Sequence, residues 1–248
     1  MSQLSGKTAL VTGGTSGIGL ATAQHLAAEG AHVFLTGRTQ DRVDAAAATI
    51  GDAATGVVAD VTEIEALERL AETIKQHGHG LDVIFANAGG GEFATLEEET
   101  PEHLADTFAR NVGGTVFTVQ KMLPLLNEGA SIVLTGSTAA SRGVPAFGAY
   151  AASKAAIRSL SRTWAAELVG RKIRVNTVVP GPIETPGLKG LAPSGEHQAL
   201  LDGEAATVPM GRIGSPDEIA TVVAFLASDA SSFMTGSEVF VDGGSVQV

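Results

Sequence analysis

From one end of the chain to the other, short runs rich in β-formers alternate with longer segments of helical period, and that alternation admits few folds. Neighbouring parallel strands need a crossover of a dozen or more residues, which each helical segment here can supply. The expectation is an α/β chain built as a doubly wound parallel sheet of about seven strands with helices on both faces. Strands are read at residues 8–12, 32–36, 56–59, 81–86, 130–135, 173–179 and 238–241, and the nearly all-apolar run 81–86 belongs mid-sheet.

Helix signals punctuate the same order. An apolar-periodic helix covers 17–29 and ends at Gly30 in the C′ position. Thr62 and Glu65 read as a capping box for the next helix. Thr100 and Pro101 head a long helix running toward Leu126, with Pro124 bending its last turn. Another helix is expected at 150–169, and Ser215, Pro216 and Glu218 open the last one. Residues 186–207 show no period and are expected to form an irregular lid or binding loop. A chain of 248 residues with 44% hydrophobic content suits one domain over 1–248.

Composition narrows the partners. Lys+Arg 16 against Asp+Glu 27 gives −11 with no basic run, so nucleic acid is not expected. No stretch nears the roughly 20 apolar residues of a membrane span. The start, MSQLSGKTALV, lacks a signal-peptide layout, so a cytoplasmic protein is expected. Zero cysteines remove thiol and disulfide chemistry, and the six scattered histidines read as surface or capping residues rather than metal ligands. The acidic run 97–99 reads as a solvated approach to the helix headed by Thr100.

Two patterns carry chemistry. Between the first strand and its helix stands Thr12-Gly13-Gly14-Thr15-Ser16-Gly17-Ile18-Gly19. Glycines there let backbone approach a pyrophosphate, and the helix N-terminus favours negative charge. Further on, Tyr150 and Lys154 are four residues apart on a helix and so share a face. An ammonium one turn away favours the phenolate, and the expectation is a tyrosine pKa lowered by roughly 2 to 3 units from its ordinary value near 10.

The glycine spacing resembles the TGxxxGxG fingerprint of the short-chain dehydrogenase/reductase superfamily. Asn87-Ala88-Gly89, Asn111, Ser137, Tyr150 with Lys154, Pro180-Gly181 and Val241-Asp242-Gly243-Gly244 follow in that family's order over essentially the whole chain. The resemblance implies a Rossmann-like fold and a catalytic group of Asn111, Ser137, Tyr150 and Lys154. Tyr150 is then the acid/base, and Ser137 hydrogen-bonds the substrate oxygen. Lys154 holds the nicotinamide ribose, and Asn111 binds water on a proton path to solvent. It further implies cofactor contacts at Gly13, Thr15, Ser16, Gly17, Ile18, Gly19, Asp60, Val61, Asn87, Gly89, Tyr150, Lys154, Pro180, Gly181, Ile183 and Thr185. Asp60 would accept from the adenine amino group, and Thr185 would contact the carboxamide or a phosphate.

At the end of the second strand the chain reads Thr36-Gly37-Arg38-Thr39, with an arginine where an acid would select a ribose 2′-hydroxyl. NADP(H) is therefore favoured, with NAD(H) as the alternative. Ser16 stands where many NADP-preferring relatives carry a basic residue, and Ala86 where relatives often carry a second asparagine.

The expected activity is hydride exchange between nicotinamide and a small-molecule carbonyl or secondary alcohol; the rival reading is a redox sensor or non-catalytic scaffold of the same fold. Residues 90–93, 141–147 and 186–207 are expected to face a moderately apolar ketone, with Arg142 a candidate for recognising an acidic tail instead. By the same resemblance, the helices near 100–126 and 150–169 pair copies into a homotetramer.

Overall fold

Seven parallel strands form one sheet in the order β3-β2-β1-β4-β5-β6-β7, in a computed structural model that describes residues 3–248. Met1 and Ser2, the first two residues of the stretch read above for a signal peptide, lie outside the described residues. The strands are β1 Thr8–Val11, β2 His32–Gly37, β3 Ala54–Val58, β4 Leu81–Ala86, β5 Leu126–Thr135, β6 Arg174–Pro180 and β7 Glu238–Val241. Every neighbouring pair is parallel.

Period-two alternation sends successive side chains of each strand into two separate cores. Ala9 and Val11 of β1, Val33 and Leu35 of β2, and Val83 and Phe85 of β4 enter one core. It is closed by α1 (Gly17–Ala28), α2 (Gln40–Ile50) and α9 (Pro216–Ala227) through Leu26, Val43 and Val223. Leu10, Phe34 and Ile84 point the other way. That second core is closed by Leu67 and Ile74 of α3 (Ile64–His77), Met122 of α5 (Gly114–Met122) and Ile157 of α6 (Gly148–Leu168). Because both faces are covered, the central strands are apolar on both sides, which is why their sequences read as continuous hydrophobic runs.

The long helix expected from Thr100 is three pieces. α4 (Pro101–Phe108) passes into a π-turn at Ala109–Gly113 before α5, and Pro124 sits in a 3-10 turn, Leu123–Leu125. The expected Thr62 capping box is absent, because α3 starts at Ile64 and Thr62 is held by Asp60 instead. β5 begins four residues earlier than expected; Asn127 donates to the His79 carbonyl at 3.1 Å and to Asp82 at 3.2 Å, tying this extra segment to β4. The expected irregular loop at 186–207 contains two helices, α7 (Pro186–Lys189) and α8 (His197–Ala206). α2 carries no strong apolar stripe, with only Val43 and Ala46 buried, and was not anticipated.

Histidines read as scattered partly come together. His32, His77 and His79 pack at the end of the sheet where β2 and β4 begin, with the first two rings stacked at 4.5 Å and the last two 5.1 Å apart. His103 has an acid partner, Glu99, at 2.6 Å. The turns at Gly78 and Gly80 fold His79 back on His77, which spacing along the chain does not reveal.

Candidate active site

The strand order reverses between β1 and β4, and the loops leaving the C-terminal ends of those two strands diverge there to open a crevice. One long cleft runs across this edge. It is lined by Gly13, Thr15, Ser16, Gly17, Ile18, Gly19, Arg38, Asp60, Val61, Asn87, Gly89, Ser137, Tyr150, Lys154, Pro180, Gly181, Ile183 and Thr185. Of the residues expected at the site, Asn111 alone stands behind the wall rather than on it.

The glycine turn follows β1. Gly13 and Gly17 lie in the left-handed region, at φ 64° and 52°. A Cβ on Gly19 would strike the Gly13 carbonyl oxygen, and one on Gly13 would come within 3.0 Å of the Ala88 Cα. Ser16, the N-cap of α1, makes no side-chain cap bond and the first turn carries no acid, so its amides are left for a ligand. This cradle suits a pyrophosphate. The buried Thr12 hydroxyl accepts from the amides of Asn87 and Ala88, both at 3.0 Å, while Asn87 Nδ2 donates to the Thr12 carbonyl at 3.1 Å. The two loops are thereby fixed to each other.

At the β2 end, Arg38 is joined by Arg42 from the first turn of α2, and both are exposed in the cleft. At the β3 end, Asp60 Oδ1 accepts from the Thr62 amide at 3.0 Å and hydroxyl at 2.8 Å, so one carboxylate oxygen serves the turn. At the other extremity Thr185 Oγ1 caps α7 by accepting from the Leu188 amide at 3.0 Å, and its methyl lies against Gly17. Gly181 is forced by Asp242, whose Cα would lie 2.7 Å from an added Cβ. The 180–185 turn is no loose proline loop: Ile183 bridges Gly214, and the Glu184 amide donates to the Gly214 carbonyl at 2.9 Å.

Ser137 leaves β5 and Tyr150 and Lys154 leave the first turns of α6, so three elements need not be aligned, only two. Burial raises the pKa of the Tyr150 phenol, and a hydrogen bond with Ser137 pulls it partly back. The lysine effect expected from the sequence is not what this geometry produces. Lys154 Nζ donates to the Thr135 carbonyl at 2.8 Å and lies 5.6 Å from the centre of the Tyr150 ring, rather than on the hydroxyl. Desolvation moves the lysine itself, down to about 8. Both groups share a dry pocket in which each is more easily neutral.

Asn111 sits in the π-turn, where the extra residue rotates its side chain inward to 1% exposure. Its Nδ2 donates to the Gly90 carbonyl and to Ser153 Oγ, both at 2.9 Å, and its Oδ1 accepts from the Gly90 amide at 3.0 Å. Ser153 in turn donates to the Tyr150 carbonyl at 2.7 Å. These bonds brace the loop after β4 against α6.

The profile of the family described as Enoyl-(Acyl carrier protein) reductase matches residues 13–246. A solved structure described as a short chain dehydrogenase/reductase family protein superposes with a TM-score of 0.86 at 42% identity, covering 99% of this chain and 100% of that one. The chain belongs to the short-chain dehydrogenase/reductase superfamily. Among relatives of this dehydrogenase/reductase, Oxidoreductase asL5 of Sarocladium schorii is 44% identical over 248 residues, 99% of this chain and 98% of that one. The NADP-dependent (R)-specific alcohol dehydrogenase of Lentilactobacillus kefiri is 37% identical over 249 residues, 98% and 97% of the two chains.

Sequence reasoning passed over three residues of this dehydrogenase/reductase. Thr12 was read only as part of the glycine motif, although a buried hydroxyl at a strand end needs a partner. Ser153 lies mid-helix, where a serine bonding the carbonyl three residues back gives no outward sign. Arg42 was hidden with α2, whose Thr39 N-cap position and Asp41 in the first turn were the available signals.

Proposed function

We propose that this chain is an NADP(H)-dependent reductase and dehydrogenase of ketones and secondary alcohols, with Tyr150 as acid/base. The observation that carries the reading is the gathering of Ser137, Tyr150 and Lys154 in the cleft that also holds the glycine cradle. NADPH when bound supplies the hydride. The protein supplies the rest. Ser137 and the Tyr150 hydroxyl bind the carbonyl oxygen, and Tyr150 donates its proton there as negative charge develops. Lys154, beside the ring, stabilises the phenolate left behind and orients the ribose. Asn111, through Gly90 and Ser153, holds the wall and the helix turn that carry these groups.

NADP(H) is favoured over NAD(H) because Arg38 and Arg42 bring two guanidiniums to the end of β2, where no acid is present to accept from a 2′-hydroxyl. The name of the Lentilactobacillus kefiri relative agrees with that choice. The proposal extends to a single domain over 1–248 acting in the cytoplasm as a homotetramer, paired through α4, α5 and α6. Leu104 and Phe117 are exposed on these helices, and a sedimentation run giving only monomer would contradict that assembly.

The test is a panel of ketones followed by NADPH absorbance, with NADH in parallel. Tyr150→Phe is expected to lower kcat by about 10²- to 10⁴-fold while cofactor affinity changes little. Full activity in that variant would remove the phenol from the mechanism.

A further inference from the structure

The loop joining the two proposed catalytic positions, Ser137 and Tyr150, is held unusually firmly. Ala146 adopts φ 59°, a left-handed conformation that costs a residue with a Cβ, and its carbonyl accepts from the Ala94 amide at 2.8 Å. Phe147 bridges Ala94 and stacks on Tyr150 at 4.4 Å. Arg142, Val144 and Phe147 of this loop line the cleft together with Phe93, Leu188 and Leu191.

Two arginines of that wall, Arg110 and Arg142, have a buried Nε without a partner, and only Arg110 has a carboxylate on the rest of its guanidinium. The Arg142 side chain is half-buried, and among the described residues it makes no hydrogen bond or ion pair. Other cations in the cleft are differently placed. Arg110 holds Glu92 through two bonds, at 3.2 and 2.8 Å, Lys154 holds a carbonyl, and Arg38 and Arg42 are exposed near the end of β2. Glu92 is thereby committed to another arginine. Asp106 and Glu204 also line the cleft but make no ion pair among the described residues. A guanidinium donor removed from water and left unanswered is costly, and it persists where a ligand completes it.

We propose that Arg142 anchors a carboxylate of the substrate, so that the preferred ketones are keto acids whose carboxylate is joined to the carbonyl by an apolar chain. This deepens the hydride-transfer reading above and rests on it. The planar fork of an arginine matches two carboxylate oxygens, and Val144, Phe147, Phe93, Leu188 and Leu191 supply apolar walls for the intervening carbons. Arg142 on this account determines specificity and leaves proton transfer to Tyr150.

The experiment pairs linear keto acids of graded length with their methyl esters. Affinity is measured by calorimetry on enzyme loaded with oxidised NADP, where no reduction occurs, and turnover is measured separately with NADPH. The best acid is expected to bind about 10- to 100-fold more tightly than its ester. Arg142→Gln is expected to bring that ratio to about one through KM rather than kcat, and Arg142→Lys to retain part of it. An acid-to-ester ratio near one in the wild type, or a ratio untouched by Arg142→Gln, overturns the proposal. So does an acid preference that appears only in Glu204→Gln, which would mean that Arg142 serves an ion pair across the cleft in the wild type. Acids that bind preferentially yet are never reduced would leave the anchor standing and sink the hydride-transfer reading instead.

Discussion

Lys154 donates to the Thr135 carbonyl with its ammonium 5.6 Å from the centre of the Tyr150 ring, and its desolvation sets how the pair responds to pH. A lysine lowered to about 8 is mostly charged at neutrality and able to stabilise a phenolate beside it. As pH rises through about 8 the ammonium is lost, so kcat for NADPH-driven reduction should fall over that range. A reduction rate flat from about pH 6.5 to about pH 9.5 would exclude Lys154 from the step. At the other end of the cleft, replacing Arg38 and Arg42 together by glutamine should weaken NADPH binding by about 10- to 100-fold and leave NADH nearly unaffected, read by cofactor titration. Arg38 could be named from the sequence because no acid stands at the end of β2. Arg42 could not, because nothing in the sequence ties it to the cleft until the first turn of α2 places it there.

Among the elements, the π-turn at Ala109–Gly113 decides most about the site. The caps at Thr100 and Pro101 announce one long helix although Gly113 and Gly114 stand inside it, and one inserted residue in the hydrogen-bond ladder turns Asn111 to the interior. There its amide answers both backbone groups of Gly90 and the hydroxyl of Ser153. Asn111→Ala should therefore lower stability by about 1–3 kcal/mol in urea unfolding, because buried polar groups lose their partners. It should also reduce kcat, since the loop after β4 and the start of α6 are no longer braced. A variant as stable as the parent would show that water replaces the amide at no cost. The segment 186–207 illustrates the opposite error. α7 is one turn capped by Thr185, and α8 buries only Leu201, too little periodic burial for a pattern to register in the sequence.

At the scale of the whole molecule, the sheet brings together residues that are distant along the chain, and the histidine group shows it away from the cleft. Burial, with His77 and His79 nearby, lowers the pKa of His32 from 6.5. The unfolded chain then binds this proton more readily than the folded one. Stability contributed at this position is intact above about pH 6.5 and is lost as pH falls below it. The melting temperature should drop between about pH 7.5 and about pH 5.5, and His77→Gln should reduce the drop by removing a like charge stacked on His32. An identical slope in the variant would contradict that account. Lys7 and Asp82 are paired at 3.3 Å beside the same strand ends.

Local chemistry written into the chain was enough to reveal the alternation of strands and helices, the glycine turn, the Tyr150 and Lys154 spacing, and the family to which they belong. These signals depend on neighbours within a few residues, where periodicity and backbone sterics act directly. Which oxygen Lys154 would find, that Asn111 would answer Gly90 and Ser153, that three histidines would pack together, and that Arg142 would be left without a partner among the described residues were decided by contacts across tens of residues. Burial and partnership are properties of the packed interior, and they exist only once the sheet has closed over both its cores.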